Sequence, residues 1–183
     1  MMLRIIAGKF RSRKLLQPSL KITRPTKDRV REAIFSAIGP KIIDAVALDL
    51  FAGSGAFGFE ALSRGARFVY INDHNPDAIK IIEANKFDLK IEETKISQLD
   101  ALQFIQYAVK NKIQFDIVFL DPPYAYSELQ ILFKELINHN LLLNGSIIVY
   151  ENESENHYFK EDKFAVKSYN YGRTYVHIAR KEK

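Results

Sequence analysis

The chain has 183 residues, 47% of them hydrophobic and 27% charged, and no cysteine, which fits one globular domain with a real core and excludes disordered or fibrous chains, disulfides and thiolate metal sites. Its start, Met1-Met2-Leu3-Arg4-Ile5-Ile6, lacks the apolar stretch of a signal peptide, and no apolar run is long enough to cross a bilayer, so a cytoplasmic chain with no membrane partner is expected. The net charge of +5 is uneven: residues 1–31 hold ten basic side chains against one acid, a net of +9 that leaves the other 152 residues at −4. A basic arm on a mildly acidic body points to a polyanionic partner, because each Lys or Arg meeting a phosphate releases a condensed counterion.

In chain order, Leu3 to Ala7 and Arg13 to Gln17 read as two extended pieces of a hairpin around Gly8. Pro25 keeps Arg24 out of helical geometry. Asp28 to Ile38 then places Val30, Ala33, Ile34, Ala37 and Ile38 on one helical face, with Arg29, Arg31 and Glu32 elsewhere; Thr26 or Lys27 marks its start and Gly39-Pro40 its stop. From Ala45 onward, apolar strands alternate with amphipathic helices, the pattern of a parallel sheet covered on both faces. The predicted strands are Val46 to Phe51, Phe68 to Asn72, Thr94 to Ser97, Phe115 to Asp121 and Ser146 to Tyr150. The predicted helices are Phe57 to Arg64, Pro76 to Phe87, Ala101 to Asn111 and Ser127 to Asn138. Asn75-Pro76 is a helix start, with Asn as cap and Pro at the first helical position. Phe164 to Tyr169 and Thr174 to Ala179 read as a terminal antiparallel hairpin. The division expected is a basic extension over 1–40 and an α/β domain over 41–183.

In such a sheet, ligands bind outside the carboxyl ends of the strands. Gly53, Ser54 and Gly55 follow the first strand and let the backbone turn sharply and approach a ligand. Gly53, Gly55 and Gly58 satisfy G-x-G-x-x-G, but Asp49, four residues before the first glycine, gives a D-x-F-x-G-x-G form nearer to S-adenosylmethionine sites than to nicotinamide sites. Asp73, after the second strand, stands about 20 residues from the glycines, where a carboxylate accepts both ribose hydroxyls. Asp100, after the third, suits either an adenine amine or, with Gln103, a capped helix start. Asp121-Pro122-Pro123-Tyr124 follows the fourth, and its prolines fix the chain stiffly. The D-P-P-Y sequence resembles the motif of methyltransferases acting on planar exocyclic amines. That likeness implies that the carboxylate and a proline carbonyl accept the hydrogens of this poor nucleophile and aim it at a methyl group, with Tyr124 stacking on the base. His74, His139, His157 and His177 do not cluster, so no metal is expected.

The chain resembles the RsmD-type bacterial enzymes, which methylate the N2 amine of a guanine in small-subunit ribosomal RNA. The likeness rests on Arg4-Ile5-Ile6-Ala7-Gly8, on Arg24-Pro25-Thr26-Lys27-Asp28-Arg29-Val30-Arg31-Glu32-Ala33, on Asp49 to Gly58, on Asp121 to Tyr124 and on Tyr171-Gly172-Arg173-Thr174. It implies a Rossmann-like class I methyltransferase fold and S-adenosylmethionine, with S-adenosylhomocysteine as product. It also implies a cofactor site of Asp49, Phe51, Ala52, Gly53, Ser54, Gly55, Asp73, His74, Asp100 and Ala101, and a target-amine site of Asp121, Pro122, Pro123 and Tyr124. Arg4, Lys9, Arg11, Arg13, Lys14, Arg24 and Arg29 would meet 16S ribosomal RNA or the small-subunit assembly, with the chain acting as a monomer. Two positions depart from the family pattern: Ser12 replaces a usual glycine, and Asn72 a usual aliphatic residue. An N6-adenine methyltransferase remains the alternative, since D-P-P-Y serves that amine too. A nicotinamide oxidoreductase would leave Asp121 to Tyr124 without a role, and a non-enzymatic RNA-binding module would explain the arm alone.

Overall fold

The strands are β-branched and aromatic runs closed by turn residues, and each alternates its side chains between two helical layers. The computed structural model describes residues 3–17, 28–123, 126–152, 163–172 and 174–182. In chain order these hold α1 (Asp28–Ile38), a 3₁₀ turn (Gly39–Ile42), β1 (Val46–Asp49), α2 (Ala56–Ser63), β2 (Phe68–Asn72), α3 (Pro76–Leu89) and β3 (Thr94–Ser97). Then come α4 (Ala101–Lys110), β4 (Phe115–Leu120), α5 (Leu129–Asn138), β5 (Leu142–Asn152), β6 (Phe164–Tyr171) and β7 (Thr174–Lys181). The strands form one sheet in the order β3-β2-β1-β4-β5-β7-β6, with β1 to β5 parallel and β7 antiparallel to both neighbours. This is the Rossmann-like α/β fold of class I methyltransferases. The chain leaves β1 for β2 and β3 on one side, then returns to β4 and β5 on the other, so strand order reverses between β1 and β4.

Ala47, Val69, Ile71, Ile117, Phe119, Val149 and Val176 face α1 to α3, while Leu48, Val118, Leu120, Ile148 and Tyr150 face α4 and α5. On the first side Phe57 stacks on Phe119 at 5.0 Å and Phe35 tilts against the same ring at 5.4 Å. Such pairs add about 0.5–1.5 kcal/mol each beyond their burial.

Several boundaries differ from expectation. β1 ends at Asp49 rather than Phe51, because the chain bends out of the sheet at Leu50. β4 stops at Leu120, one residue before Asp121. β5 starts at Leu142 rather than Ser146: Gly145, at φ +77°, absorbs an irregular register between Phe115 and Ile117. Gly39-Pro40 stops α1 at Ile38, as expected, and also opens the 3₁₀ turn.

On α1, Arg31 is 1% exposed rather than solvated, and Phe35 is buried where Ala33 and Ala37 are half-buried. Glu60 of α2 explains the arginine, its carboxylate lying 3.9 Å from Arg31 Nε while Asp28 accepts from Arg31 Nη2 at 3.1 Å. Burial pulls the Arg31 pKa below its ordinary value, with Glu60 and then Asp28 pushing it back up.

The N-terminal hairpin is present as one antiparallel bridge, Arg4 to Lys14, flanked by Ile5 N–H to Arg13 O at 2.9 Å and Leu15 N–H to Leu3 O at 3.0 Å. It is clamped to the helices that follow β1 and β2. Glu60 accepts the N–H groups of Ile6 at 2.7 Å and Ala7 at 3.1 Å, and Ser63 accepts those of Phe10 at its hydroxyl and Lys9 at its carbonyl. Asn85 of α3 accepts from Leu16 N at 2.7 Å and donates to Leu16 O at 3.0 Å. Leu3, Ile5 and Leu15 lie in the same buried cluster as the strands.

Candidate active site

The three glycines after β1 have different duties. Gly53 (φ +56°) and Gly55 (φ +78°) adopt left-handed backbone that L side chains resist. A Cβ on Gly53 would meet nothing within 4 Å, so its bare face opens onto free space. A Cβ on Gly55 would sit 2.6 Å from the Phe59 ring, and one on Gly58 would sit 2.8 Å from the Ile71 side chain. Gly58 lets α2 lie close on β2, and Gly55 leaves room for the Phe59 ring of the helix it precedes.

Carboxylates brace this loop from below. Asp73 accepts from Gly53 N at 2.8 Å through one oxygen and from Asn75 N at 2.9 Å through the other. Each oxygen keeps a second lone pair for a hydroxyl. Asp49, 2% exposed, accepts from Gly58 N at 2.9 Å and therefore holds the start of α2. Its pKa is pushed up to about 7, chiefly by burial, against the Gly58 hydrogen bond, with the charges of Asp121 and then Asp73 adding to the rise. Asp121, just past β4, thus stands at the same edge of the sheet as the loop at Gly53 and close enough to be felt by Asp49.

Beside the loop lies a pocket of about 290 Å³ lined by Leu50, Phe51, Asn72, His74, Leu99, Asp100, Ala101, Pro123 and Tyr126. It is mostly apolar with convergent polar groups, as a site for a flat heteroaromatic ring would be. Phe51, His74, Asp100, Ala101 and Pro123 were expected at a ligand site; Leu50, Asn72, Leu99 and Tyr126 were not. Asp100 caps α4, accepting from Leu102 N at 3.0 Å while Gln103 accepts from Asp100 N at 3.2 Å, and it also reaches the pocket wall. The cap and a ligand contact are therefore compatible at one side chain.

Asn72 accounts for its departure from an aliphatic residue. It is 1% exposed, donates to Leu50 O at 3.2 Å and Leu99 O at 3.0 Å, and accepts from Ser97 Oγ at 2.8 Å and Leu99 N at 3.2 Å. One side chain thus ties the exits of β1 and β3 into a single wall. The signal in the sequence was a polar residue at the end of an apolar strand. Tyr126 packs edge-on against Phe51 at 5.0 Å, and its buried hydroxyl has no hydrogen-bond partner among the described residues. Its pKa is pushed up to about 12 by burial and then by the charges of Glu128 and Asp100.

Asp121 and Pro122 are half-buried, and Pro123 is exposed. The Pro123 carbonyl accepts from Tyr126 N at 2.8 Å in a turn. Tyr124 and Arg24 lie outside the described residues. Lys9, Arg11, Lys14 and Arg29 are exposed. Lys9 sits 5.1 Å from the Phe10 ring centre, Arg13 donates to Asp88 O at 2.7 Å, and Arg4 pairs with Asp28 at 3.2 Å. None of these arm residues enters the pocket wall, so the arm and the pocket are separate surfaces joined through α2 and α3.

Known proteins resemble the chain over most of its length. Residues 3–180 match the family described as "Conserved hypothetical protein 95". Ribosomal RNA small subunit methyltransferase D of Escherichia coli (strain K12) is 36% identical over 154 residues, which is 84% of this chain and 76% of that protein. The protein of the same name from Haemophilus influenzae is also 36% identical, over 83% of this chain and 79% of its own length. Among solved structures, the one described as "Putative methyltransferase yhhF from Escherichia coli" superposes with a TM-score of 0.86 at 31% identity, covering 100% of this chain and 99% of that one. The chain therefore belongs to the "Conserved hypothetical protein 95" family, that of the RsmD-type methyltransferases.

Proposed function

We propose that the chain transfers a methyl group from S-adenosylmethionine to the exocyclic N2 amine of a guanine in 16S ribosomal RNA, in the cytoplasm. The observation that carries this reading is the shared edge: the pocket at Phe51, Asn72 and Asp100 ends at Pro123, two residues beyond Asp121. The relatives' names support ribosomal RNA as the substrate.

When bound, S-adenosylmethionine supplies an electrophilic methyl carbon on a sulfonium. The residues fit it. The pocket takes the adenine ring, with Asp100 at its rim; Asp73 accepts from the ribose hydroxyls; and the open face of Gly53 leaves room for the amino-acid end. Asp121 and the Pro122 carbonyl accept the two hydrogens of the target amine and turn its lone pair out of conjugation. Such orientation and charge placement supply most of the rate in a site of this kind. The base must leave its stack at a cost of a few kcal/mol, which stacking on Tyr124 partly offsets. The arm residues 1–40 hold the RNA through phosphate contacts.

The test is transfer of labelled methyl to ribosomal RNA from a strain lacking this enzyme, followed by nuclease digestion. N2-methylguanosine is the expected product; N6-methyladenosine, or transfer to duplex DNA instead, overturns the assignment. Asp121→Ala is expected to bind S-adenosylhomocysteine as the wild type does while transfer falls by at least about 100-fold. Equal activity would remove Asp121 from the mechanism.

A further inference from the structure

The cofactor pocket fixes the direction from which the acceptor base must come. Its walls are the exits of β1, β2 and β3, through Phe51, Asn72 and Asp100, and it ends at Pro123. In the strand order, the sheet beyond β4 continues to β5 and β7. A base whose amine meets Asp121 therefore lies over the ends of β4 and β5.

A second carboxylate stands there. β4 and β5 run parallel with Phe119 opposite Val149 and Leu120 opposite Tyr150. One residue further along each chain stand Asp121, just past the end of β4, and Glu151, still within β5. Phe119 and Val149 point toward α1 and α2, and Leu120 and Tyr150 toward α4 and α5. Alternation along β5 turns Glu151 back toward α1 and α2. Val176, in register with Glu151 on β7, lies in the cluster on that side, and Asp49, which feels the charge of Asp121, bonds α2 there. Both Asp121 and Glu151 are half-buried.

We propose that Glu151 is the residue that selects guanine, accepting the N1–H that lies next to the amine held by Asp121. This rests on the reading of the edge as a purine-amine methylation site. An ionised carboxylate only accepts hydrogen bonds. Guanine offers it N1–H beside the N2 amine; adenine offers the bare N1 lone pair beside N6. Two neighbouring carboxylates therefore complement the guanine edge, and the second one repels adenine. A site built to bond an N–H rejects an analogue that lacks it more strongly than shape alone can.

The test uses RNA in which the methylated guanine is replaced by 2-aminopurine, which keeps the N2 amine and has no hydrogen on N1. The wild type is expected to prefer guanine in kcat/KM by at least about tenfold, the worth of one hydrogen bond to a charged group. Glu151→Gln, whose amide can donate to a bare N1, is expected to lose that preference while binding S-adenosylhomocysteine as before. Binding of S-adenosylhomocysteine reports folding. Should the glutamine variant lose it, Glu151→Asp, which withdraws the carboxylate by one methylene, is expected to lower the preference with cofactor binding intact. A wild type indifferent to the replacement, or a folded variant with the wild-type ratio, overturns the role of Glu151. Failure of the wild type to make N2-methylguanosine at all would overturn the proposed function itself.

Discussion

Asp49 shows how much one carboxyl group can weigh. Its folded pKa of about 7 lies well above its ordinary value of 3.8, so the native chain holds a proton that the unfolded chain has lost above about pH 4. The stability tied to that proton is complete below pH 4 and is lost as pH rises to 7, on the order of 4 kcal/mol for a shift of this size. Asp49→Asn keeps an acceptor for Gly58 and has nothing to titrate. Thermal unfolding between pH 5 and pH 8 should therefore show a smaller fall in Tm for the variant than for the wild type; equal falls would mean that Asp49 ionises freely. Ser12, where the family pattern has glycine, holds φ +67°. Ser12→Gly is expected to raise stability by about 0.5–1 kcal/mol in urea unfolding, and a loss instead would mean that the serine side chain contributes something the backbone does not show. Asp121, Asp73 and Asp100 were legible because strand ends can be located from apolar runs and turn residues. Asn72 and Tyr126 were not, since their place depends on which loops meet in space. Arg31 was hidden for the same reason: its partner Glu60 lies 29 residues away, on the far side of β1.

Among the elements, the hairpin over residues 3–17 is governed by α2. Gly8, at φ +84°, passes so close to the helix that a Cβ would lie 1.8 Å from the Ser63 carbonyl oxygen. Gly8→Ala is expected to lift the hairpin off α2 and leave the sheet intact. Hydrogen exchange should then speed at Ile6, Ala7 and Phe10, whose amides bond Glu60 and Ser63, and stay slow in β1 and β4. Unchanged exchange at those three amides would mean the hairpin yields without detaching. The helices and the parallel strands could be read closely because period and caps agree, as at Asn75, whose side chain accepts from Asp77 N at 2.9 Å. β5 was placed only from Ser146, because the apolar run begins after Gly145, although the strand passes through that glycine with altered register. The hairpin itself has a single bridge, since what holds it is contact with helices rather than its own ladder.

At the scale of the whole molecule, charge is divided between an arm that is basic and a body that is acidic. If the arm meets phosphates, replacing Arg11, Arg13 and Lys14 together by Ala removes up to three contacts. The slope of log K against log salt for ribosomal RNA should then flatten by about 2–3. An unchanged slope would make the arm a solvated face. The fold class was evident from the alternation of strands and helices. The joining of arm to core was not, because it runs through buried polar groups rather than an apolar stripe. Asn85 is the sharpest case: besides gripping Leu16, its amide donates to Ser54 O at 3.1 Å in the glycine loop. A tug on either end is felt at the other through one planar group about the length of a single hydrogen-bond bridge. The tether of the arm and the glycine loop after β1 are therefore one mechanical part, and if RNA drags on the first it also presses on the second.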